Sequence, residues 1–432
     1  MKKLLSISLL TVLSLSAFEF QPLGFRSIGM GGAGVANASG SAAAYYNPAL
    51  LGLNRYTTEI SLSLGAGVRE INLIDHLDKI SNDYKLTDTI DVIKEHAPIS
   101  GSNKSDSYRA DLKIQGALKE IYKLSQGNGL TAEPTAAFSA QIKNFAVGVY
   151  AVGELEANAV IDRQHLYLIF KDEKNGGYYY YYPKTDTYGA TDEETYKKYS
   201  LEYALDNNLT YVSVNGIGLA EVPLSFAYTK EITGAEVSFG MNLKYIQGVT
   251  YKNILNLDSD SDDLENSLND NKKLSSNFGV DLGVLIKTDD IRIGLVGKYL
   301  NRPKFKYYDG SKVSIQPMVR GGVAVDLTNW LTFAMDIDLT ENSTNIPDYK
   351  SQYIGGGFDF HPASWFSLRA GAMRNMVQDE EGTILTAGFG FGLKWFQLDV
   401  AGEAATKTST YDGNKIPRYF KINVALLSRW GG

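Results

Sequence analysis

Three features of the sequence carry residue types whose spacing could do chemistry. Gly29-Met30-Gly31-Gly32-Ala33-Gly34 matches G-x-G-x-x-G, the pattern that seats a dinucleotide pyrophosphate on a helix N-terminus. That use requires a strand before the motif, a helix after it and an acid ~20 residues on. Here residues 18–24 are short for a buried strand, and the first later acid is Glu59. The stretch is read instead as small residues that let backbone pack closely on backbone. Asp258, Asp260, Asp262 and Glu265 alternate as in a calcium loop. The sixth position, however, is Asp263 rather than Gly, and the twelfth is Asn269 rather than Glu. A solvated acidic loop is expected. Hydrolytic chemistry finds four histidines (His76, His96, His165 and His361), no cysteine and no serine in a G-x-S-x-G elbow. No enzyme activity, cofactor or metal is expected.

Composition narrows the class. The chain has 432 residues, net charge −7, 42 glycines and 28 tyrosines. An acidic chain is a poor nucleic-acid binder. After the N-terminus no apolar run approaches the ~20 residues of a membrane helix. At the N-terminus, Lys2 and Lys3 precede a short apolar run over residues 4–15 and small residues at Ser16-Ala17. This reads as a cleaved secretory signal. The expected organisation is a signal over 1–17, a plug over 18–55 and a β-barrel over 56–432, with large loops at 69–133 and 158–221.

The elements that must hold any site are strands. Leu331, Phe333, Met335 and Ile337 alternate with Thr332, Ala334, Asp336 and Asp338. Val237, Phe239, Met241, Leu243 and Tyr245 alternate with Ser238, Gly240, Asn242 and Lys244. Period two marks strands with one apolar and one polar face. Strands are expected near 57–68, 134–143, 145–157, 222–230, 235–247, 276–287, 291–300, 315–326, 331–340, 351–360, 365–374, 384–392, 394–404 and 419–428. That is an even fourteen, most long enough to cross a bilayer at a tilt. Short and long connections alternate strictly, as in outer-membrane barrels. Trp330, Trp365, Trp395 and Trp430 all fall at the short-turn end, where an aromatic girdle belongs.

The polar face carries Lys244, Asp281, Arg292, Lys298, Arg320, Asp326, Asp336, Asp338, Arg369 and Asp399. They would form either a salt-bridge ladder that stiffens the wall and holds a plug, or a constriction that selects permeants. The first long loop shows helical spacing at Leu73, Ile74, Leu77 and Ile80, then at Ile90 and Ile93, and again at Leu112, Ala117, Leu118, Ile121 and Leu124. The run Tyr178–Tyr182 suits a β-hairpin standing above a membrane.

Gly24-Phe25-Arg26-Ser27-Ile28-Gly29-Met30-Gly31-Gly32-Ala33-Gly34-Val35-Ala36, with Tyr46-Asn47-Pro48-Ala49, resembles the N-terminal hatch of FadL-type outer-membrane barrels, in particular the branch labelled conjugal-transfer TraF-like. The resemblance implies a 14-stranded barrel with a lumenal hatch, passing hydrophobic small molecules of the fatty-acid or hydrocarbon class. Gly29, Gly31, Gly34, Asn47 and Pro48 would shape the hatch. A wall opening would lie near Gly148 and Gly153. The alternative is a structural or docking barrel for conjugal transfer or secretion. The expected location is the outer membrane of a diderm bacterium. Expected partners are outer-membrane lipids and lipopolysaccharide, a hydrophobic ligand and the barrel-assembly machinery. The barrel would be a monomer and bind no nucleic acid.

Overall fold

The structure, a computed structural model, describes residues 18–38, 40–53, 58–95, 104–124, 127–172, 176–185, 187–255, 271–346, 348–393 and 396–430. The expected signal (1–17), the acidic run (258–265), His96 and Trp395 lie outside them.

Fourteen antiparallel strands close into one ring. They are β1 Thr58–Ile71, β2 Gly129–Ile142, β3 Phe145–Val160, β4 Tyr211–Ile232, β5 Ala235–Leu255, β6 Lys272–Lys287 and β7 Ile291–Lys298, then β8 Met318–Thr328, β9 Leu331–Asp338, β10 Tyr353–Ala363, β11 Phe366–Asn375, β12 Thr383–Leu393, β13 Phe396–Ala405 and β14 Tyr419–Trp430. Closure comes from pairing β1 with β14, from Thr58↔Trp430 to Arg69↔Tyr419. A closed ring leaves no strand edge unpaired, which a bilayer would penalise.

Alternation explains which way each strand faces. On β5, Ser238, Asn242 and Lys244 are at most 2% exposed, while Phe239, Leu243 and Tyr245 are 42–53% exposed. The same exposed apolar face continues on every side, through Leu64, Phe138, Leu224, Ile293, Phe358 and Leu398. An apolar belt around a whole molecule suits a lipid solvent rather than water. Trp330, Trp365 and Trp430 are exposed at the short-turn end. Replacing Leu243 by Arg at mid-wall is expected to destabilise the barrel by about 2–4 kcal/mol. Urea titration of the refolded protein in lipid vesicles would measure it.

Several strands run past their expected ends, β4 and β5 the furthest. β4 starts at 211 rather than 222, and β5 ends at 255 rather than 247. Asn215, Gly216 and Gly218 blur the apolar period in that stretch. The ladder nevertheless holds register from Val212↔Leu255 to Ile232↔Ala235.

The long loops form a cap at the opposite end from the tryptophans. After α1 Phe25–Gly29 and α2 Ala43–Tyr46 near the N-terminus, helices α3 Ile74–Asp78, α4 Leu86–Glu95 and α5 Lys104–Leu124 occur where helical spacing places them. The tyrosine run is one arm of a hairpin with Thr187–Thr191, and Ile169–Lys171 adds a third strand on its other side. The period-two rule again decides its faces. Tyr179 and Tyr181 are buried with Ile93 and Ile114, while Tyr180 and Tyr182 stack on the other side.

On α5, Glu120 lies 2.6 Å from His76 Nδ1 and 2.7 Å from Lys123 Nζ. Burial pushes its carboxyl up, but these hydrogen bonds prevail and hold it below its ordinary 4.5. A carboxylate depressed in the fold adds stability that is present above its unfolded value and lost as pH falls through the folded one. Protection of residues 113–124 against deuterium exchange, taken relative to the intrinsic amide rate at each pH, is therefore expected to fall once pH drops below 4.5.

Candidate functional site

The lumen is occupied by the chain's own N-terminal segment. Helix α1 Phe25–Gly29 packs on β11–β14, the 3-10 turn Gly40–Ala42 on β1–β3, and the turn Pro48–Gly52 on β4–β6. A segment that touches the ring on all these sides lies inside it. Met30, Ala33, Ala43 and Tyr46 show no solvent exposure.

Glycines on both partners make this fit possible. Gly29 meets Gly388, and Gly31 (φ +67°) meets Gly356, Gly371 and the Ala372 carbonyl. A Cβ at Gly31 would collide with that carbonyl as well as occupy a left-handed backbone position. Across the lumen, Gly240 and Gly283 leave the space taken by Asn47, Pro48 and Ala49. Asn47 fixes the turn. Its Oδ1 accepts from Ala49 N at 3.0 Å, and its Nδ2 donates to Val35 O at 3.1 Å. Pro48 starts the 3-10 turn, where its missing N–H costs nothing.

The glycine motif does bind an anion, and the anion belongs to the wall. Asp336 Oδ2 on β9 accepts from Gly34 N at 2.8 Å and Val35 N at 2.9 Å. Arg320 on β8 sits 2.7 Å from Asp338, 3.9 Å from Asp336 and 3.9 Å above the Phe20 ring. Arg369 bridges Asp359 (3.2 Å) and Asp399 (2.7 Å), and Arg26 of the lumenal segment reaches Asp359 at 3.0 Å. Lys244 sits 3.1 Å from Glu221 and 3.0 Å from Asp281, and the Tyr299 hydroxyl donates to Glu221. Lys298 donates to Tyr45 O at 3.0 Å, 3.6 Å from that ring's centroid. Arg292 pairs with Asp326 at 2.7 Å, half-buried near the short turns rather than in the deep network.

A second hub lies toward the long loops, and sequence reasoning missed it. Arg69 touches Glu19 (2.5 Å), Glu381 (2.7 Å) and Glu133 (3.2 Å). Its guanidinium lies 5.1 Å from the Tyr419 ring centroid. The expected strands stopped at 68 and began at 134, so Arg69 and Glu133 fell into the loop between them. Arg69 is in phase with Ser63, Gly65 and Gly67 on β1, and Glu133 with Thr135 on β2; that phase was the available signal.

Gly148 and Gly153 face opposite ways: Gly148 looks into the lumen and Gly153 outward against Pro134. In register, Gly153 stands opposite Pro134 on β2 and Gly148 opposite Pro223 on β4. β2–β3 pairing lapses between Ala132↔Leu155 and Thr135↔Val152, opposite Pro134, and resumes in the same register. β3–β4 pairing lapses between Val147↔Leu224 and Tyr150↔Glu221, opposite Pro223, and also resumes. Proline has no N–H to give a ladder, so β3 is a continuous strand with a weakened seam on each side.

Two cavities border the lumenal segment. One of about 30 Å³ lies between Phe25, Ser41, Ser63 and Tyr150, and one of about 20 Å³ between Phe20, Gly32, Arg69 and Tyr353. Each holds a water or two, not a permeant. At the short-turn end a vestibule of about 490 Å³ opens beneath Arg26, Asp359 and Arg369. Among the described residues no group of three or more acidic or histidine side chains could hold a metal ion.

Three solved structures illustrate what the chain is similar to. A TodX deltaS2S3 mutant monoaromatic hydrocarbon channel is 11% identical, with TM-score 0.49, covering 96% of this chain and 100% of that one. The Pseudomonas putida toluene transporter TodX is 12% identical, with TM-score 0.46, covering 96% and 99%. A Pseudomonas aeruginosa FadL homologue is 10% identical, with TM-score 0.45, covering 96% and 99%. No curated protein matches the sequence. The family described as "F plasmid transfer operon, TraF, protein" matches residues 44–338, more than half of the chain, and the chain belongs to that family.

Proposed function

We propose that this chain is an outer-membrane channel for passive entry of hydrophobic small molecules, gated by residues 18–53. The supporting observation is the apolar surface inside an otherwise polar lumen. Phe20, Tyr45 and Tyr46 of the plug form one buried cluster with Tyr150 and Val152 of β3, and with Phe305 and Val313 of an inward-folded hairpin. A greasy ligand arriving from the loop end exchanges one apolar contact for another as it displaces the plug. Burial near 25 cal/mol per Å² of apolar surface favours that exchange. A hydrated solute would have to desolvate to enter. The two proline-weakened seams of β3 offer a sideways exit into the bilayer, and Gly148 and Gly153 tolerate the bend it requires.

Whole-cell uptake of a radiolabelled alkane and a long-chain fatty acid tests the reading. A strain lacking the gene is expected to take up at least one of them several-fold more slowly, with restoration on complementation. Equal rates for both compounds refute transport and leave the barrel standing. The family description raises a second reading, a structural barrel serving conjugal transfer. It predicts unchanged uptake and a fall in transfer frequency in the same deletion strain.

A further inference from the structure

We infer that the α-amino group released by signal cleavage at Ala17–Phe18 is the missing counter-charge of a buried carboxylate pair, and that it seats the plug. This inference rests on export of the chain and not on the ligand proposed above.

Around the loop end of the plug lie six buried carboxylates: Glu19, Glu133, Glu154, Glu156, Glu381 and Glu403. The buried cations paired with them are Arg69 and Lys421; Arg320, which lines the same cavity as Glu19 and Glu133, is taken by Asp338 and Asp336. Arg69 serves Glu19, Glu133 and Glu381, and Lys421 lies 3.8 Å from Glu133. Glu154 and Glu156 stand two residues apart on the lumenal face of β3, 3% and 2% exposed. Each uses one oxygen. Glu154 Oε1 accepts from Glu19 N and Gln21 Nε2, both at 3.2 Å, and Glu156 Oε1 accepts from Asn345 N at 3.2 Å. Their Oε2 atoms, with Glu19 Oε2, have no hydrogen-bond partner among the described residues. Buried charges of this kind persist only when compensated.

The backbone nitrogen of Phe18 sits at this gap. Phe18 is 5% exposed, and its N–H donates to Ser343 O at 3.0 Å, two residues from the amide that holds Glu156. Because Glu19 N is bonded to Glu154, Phe18 N is within about 7 Å of that carboxylate, one residue's reach further. Hydrolysis of the Ala17–Phe18 bond consumes one water. The hydroxyl goes to the Ala17 carbonyl carbon and a hydrogen to the Phe18 nitrogen, which then takes up a proton from solution. The neutral amide with one donor becomes an ammonium with three. One donor stays on Ser343 O, and two are left to reach toward the Glu154–Glu156 pair. Processing would therefore complete the fit of the plug as well as release the chain.

The test exploits the absence of cysteine. In an Ala38→Cys chain the single thiol sits in the buried plug, and its labelling rate in outer-membrane vesicles reports plug release. Three further chains carry this reporter: one with four residues (Ser-Gly-Ser-Gly) inserted between Ala17 and Phe18, one with E154Q/E156Q, and one with both changes. Intact mass of the reporter protein is expected to begin at Phe18. Insertion is expected to speed labelling at least tenfold, and E154Q/E156Q alone to speed it several-fold. Combined with the insertion, the same pair is expected to slow labelling back toward the reporter rate, because the unpaired acids are gone. The inference is overturned by a mature chain that starts elsewhere. It is also overturned by rates within twofold across all four chains, or by E154Q/E156Q acting with the same sign in both backgrounds. That last result would assign the carboxylates to a solution cation or to packing alone. Heat-modifiable gel mobility of each chain shows that the ring itself is folded.

Discussion

Deleting residues 18–46 while keeping the signal is expected to leave a folded ring that conducts. No inter-strand ladder of the wall involves the deleted residues; closure runs through β1 and β14 alone. Among the described residues, the cavities enclosed between the plug and the wall at Phe20 and at Tyr150 hold about 20 and 30 Å³, and a vestibule of about 490 Å³ lies at the short-turn end. A ring of fourteen strands is too wide for its own side chains to fill, so water replaces the plug. Swelling of sugar-loaded liposomes should rise at least tenfold over the full chain, with heat-modifiable mobility retained. A folded but still impermeable deletion would show that the long loops, not the plug, close the path. The same deletion chain should lose any selectivity for hydrophobic permeants, because the Phe20–Tyr45–Tyr46 surface is gone.

Replacing Arg69 by Ala is expected to be the most damaging single substitution in the lumen. It leaves Glu19, Glu133 and Glu381 buried at 3% exposure or less without the guanidinium they share. Removing one partner of a buried ion pair costs about 3–5 kcal/mol, chiefly through the charge left behind. Arg69 also lies beside the Tyr349 and Tyr419 rings, so packing is lost with the charge. The temperature at which the folded gel band converts to the unfolded one should fall clearly. Adding E19Q to the R69A chain should restore part of it, since one uncompensated acid is removed. No restoration would mean that packing rather than charge dominates at this hub.

These two effects differ in how far the sequence foretells them. The wall is legible because lipid and lumen impose a period of two on each strand independently of its neighbours. Phe239, Leu243 and Tyr245 declare the outer face without reference to any other strand. Short and long connections then order the strands. The close backbone approach of the plug is legible for a similar local reason, the run of small residues from Gly29 to Gly34. Ion pairing is not local. Lys244 and Asp336 can be placed inside by their phase, but Asp336 gripping Gly34 spans 302 residues and leaves no mark in either segment. Arg69 fails twice. It lies beyond the last clearly alternating residue of β1, and its partners come from the N-terminus, β2 and a loop. The lengths of β4 and β5 escape for a third reason. Their extensions are held by unbroken pairing with each other, while Asn215, Gly216 and Gly218 carry no apolar phase. The place of the expected wall opening is legible in part: Gly148 and Gly153 stand in register opposite Pro223 and Pro134, where pairing lapses on each side of β3, but the prolines lie on other strands and register survives both lapses.

The central claim is a closed ring whose strands face lipid and lumen in turn. Single cysteines introduced at each position from 237 to 250 of β5, in a chain that has none of its own, can carry a nitroxide label in lipid vesicles. Collision with oxygen, which concentrates in the bilayer, should peak at Phe239, Met241, Leu243 and Tyr245 and fall at Ser238, Gly240, Asn242 and Lys244. Uniform accessibility along the stretch, or collision with a water-soluble quencher at the first set, would contradict it.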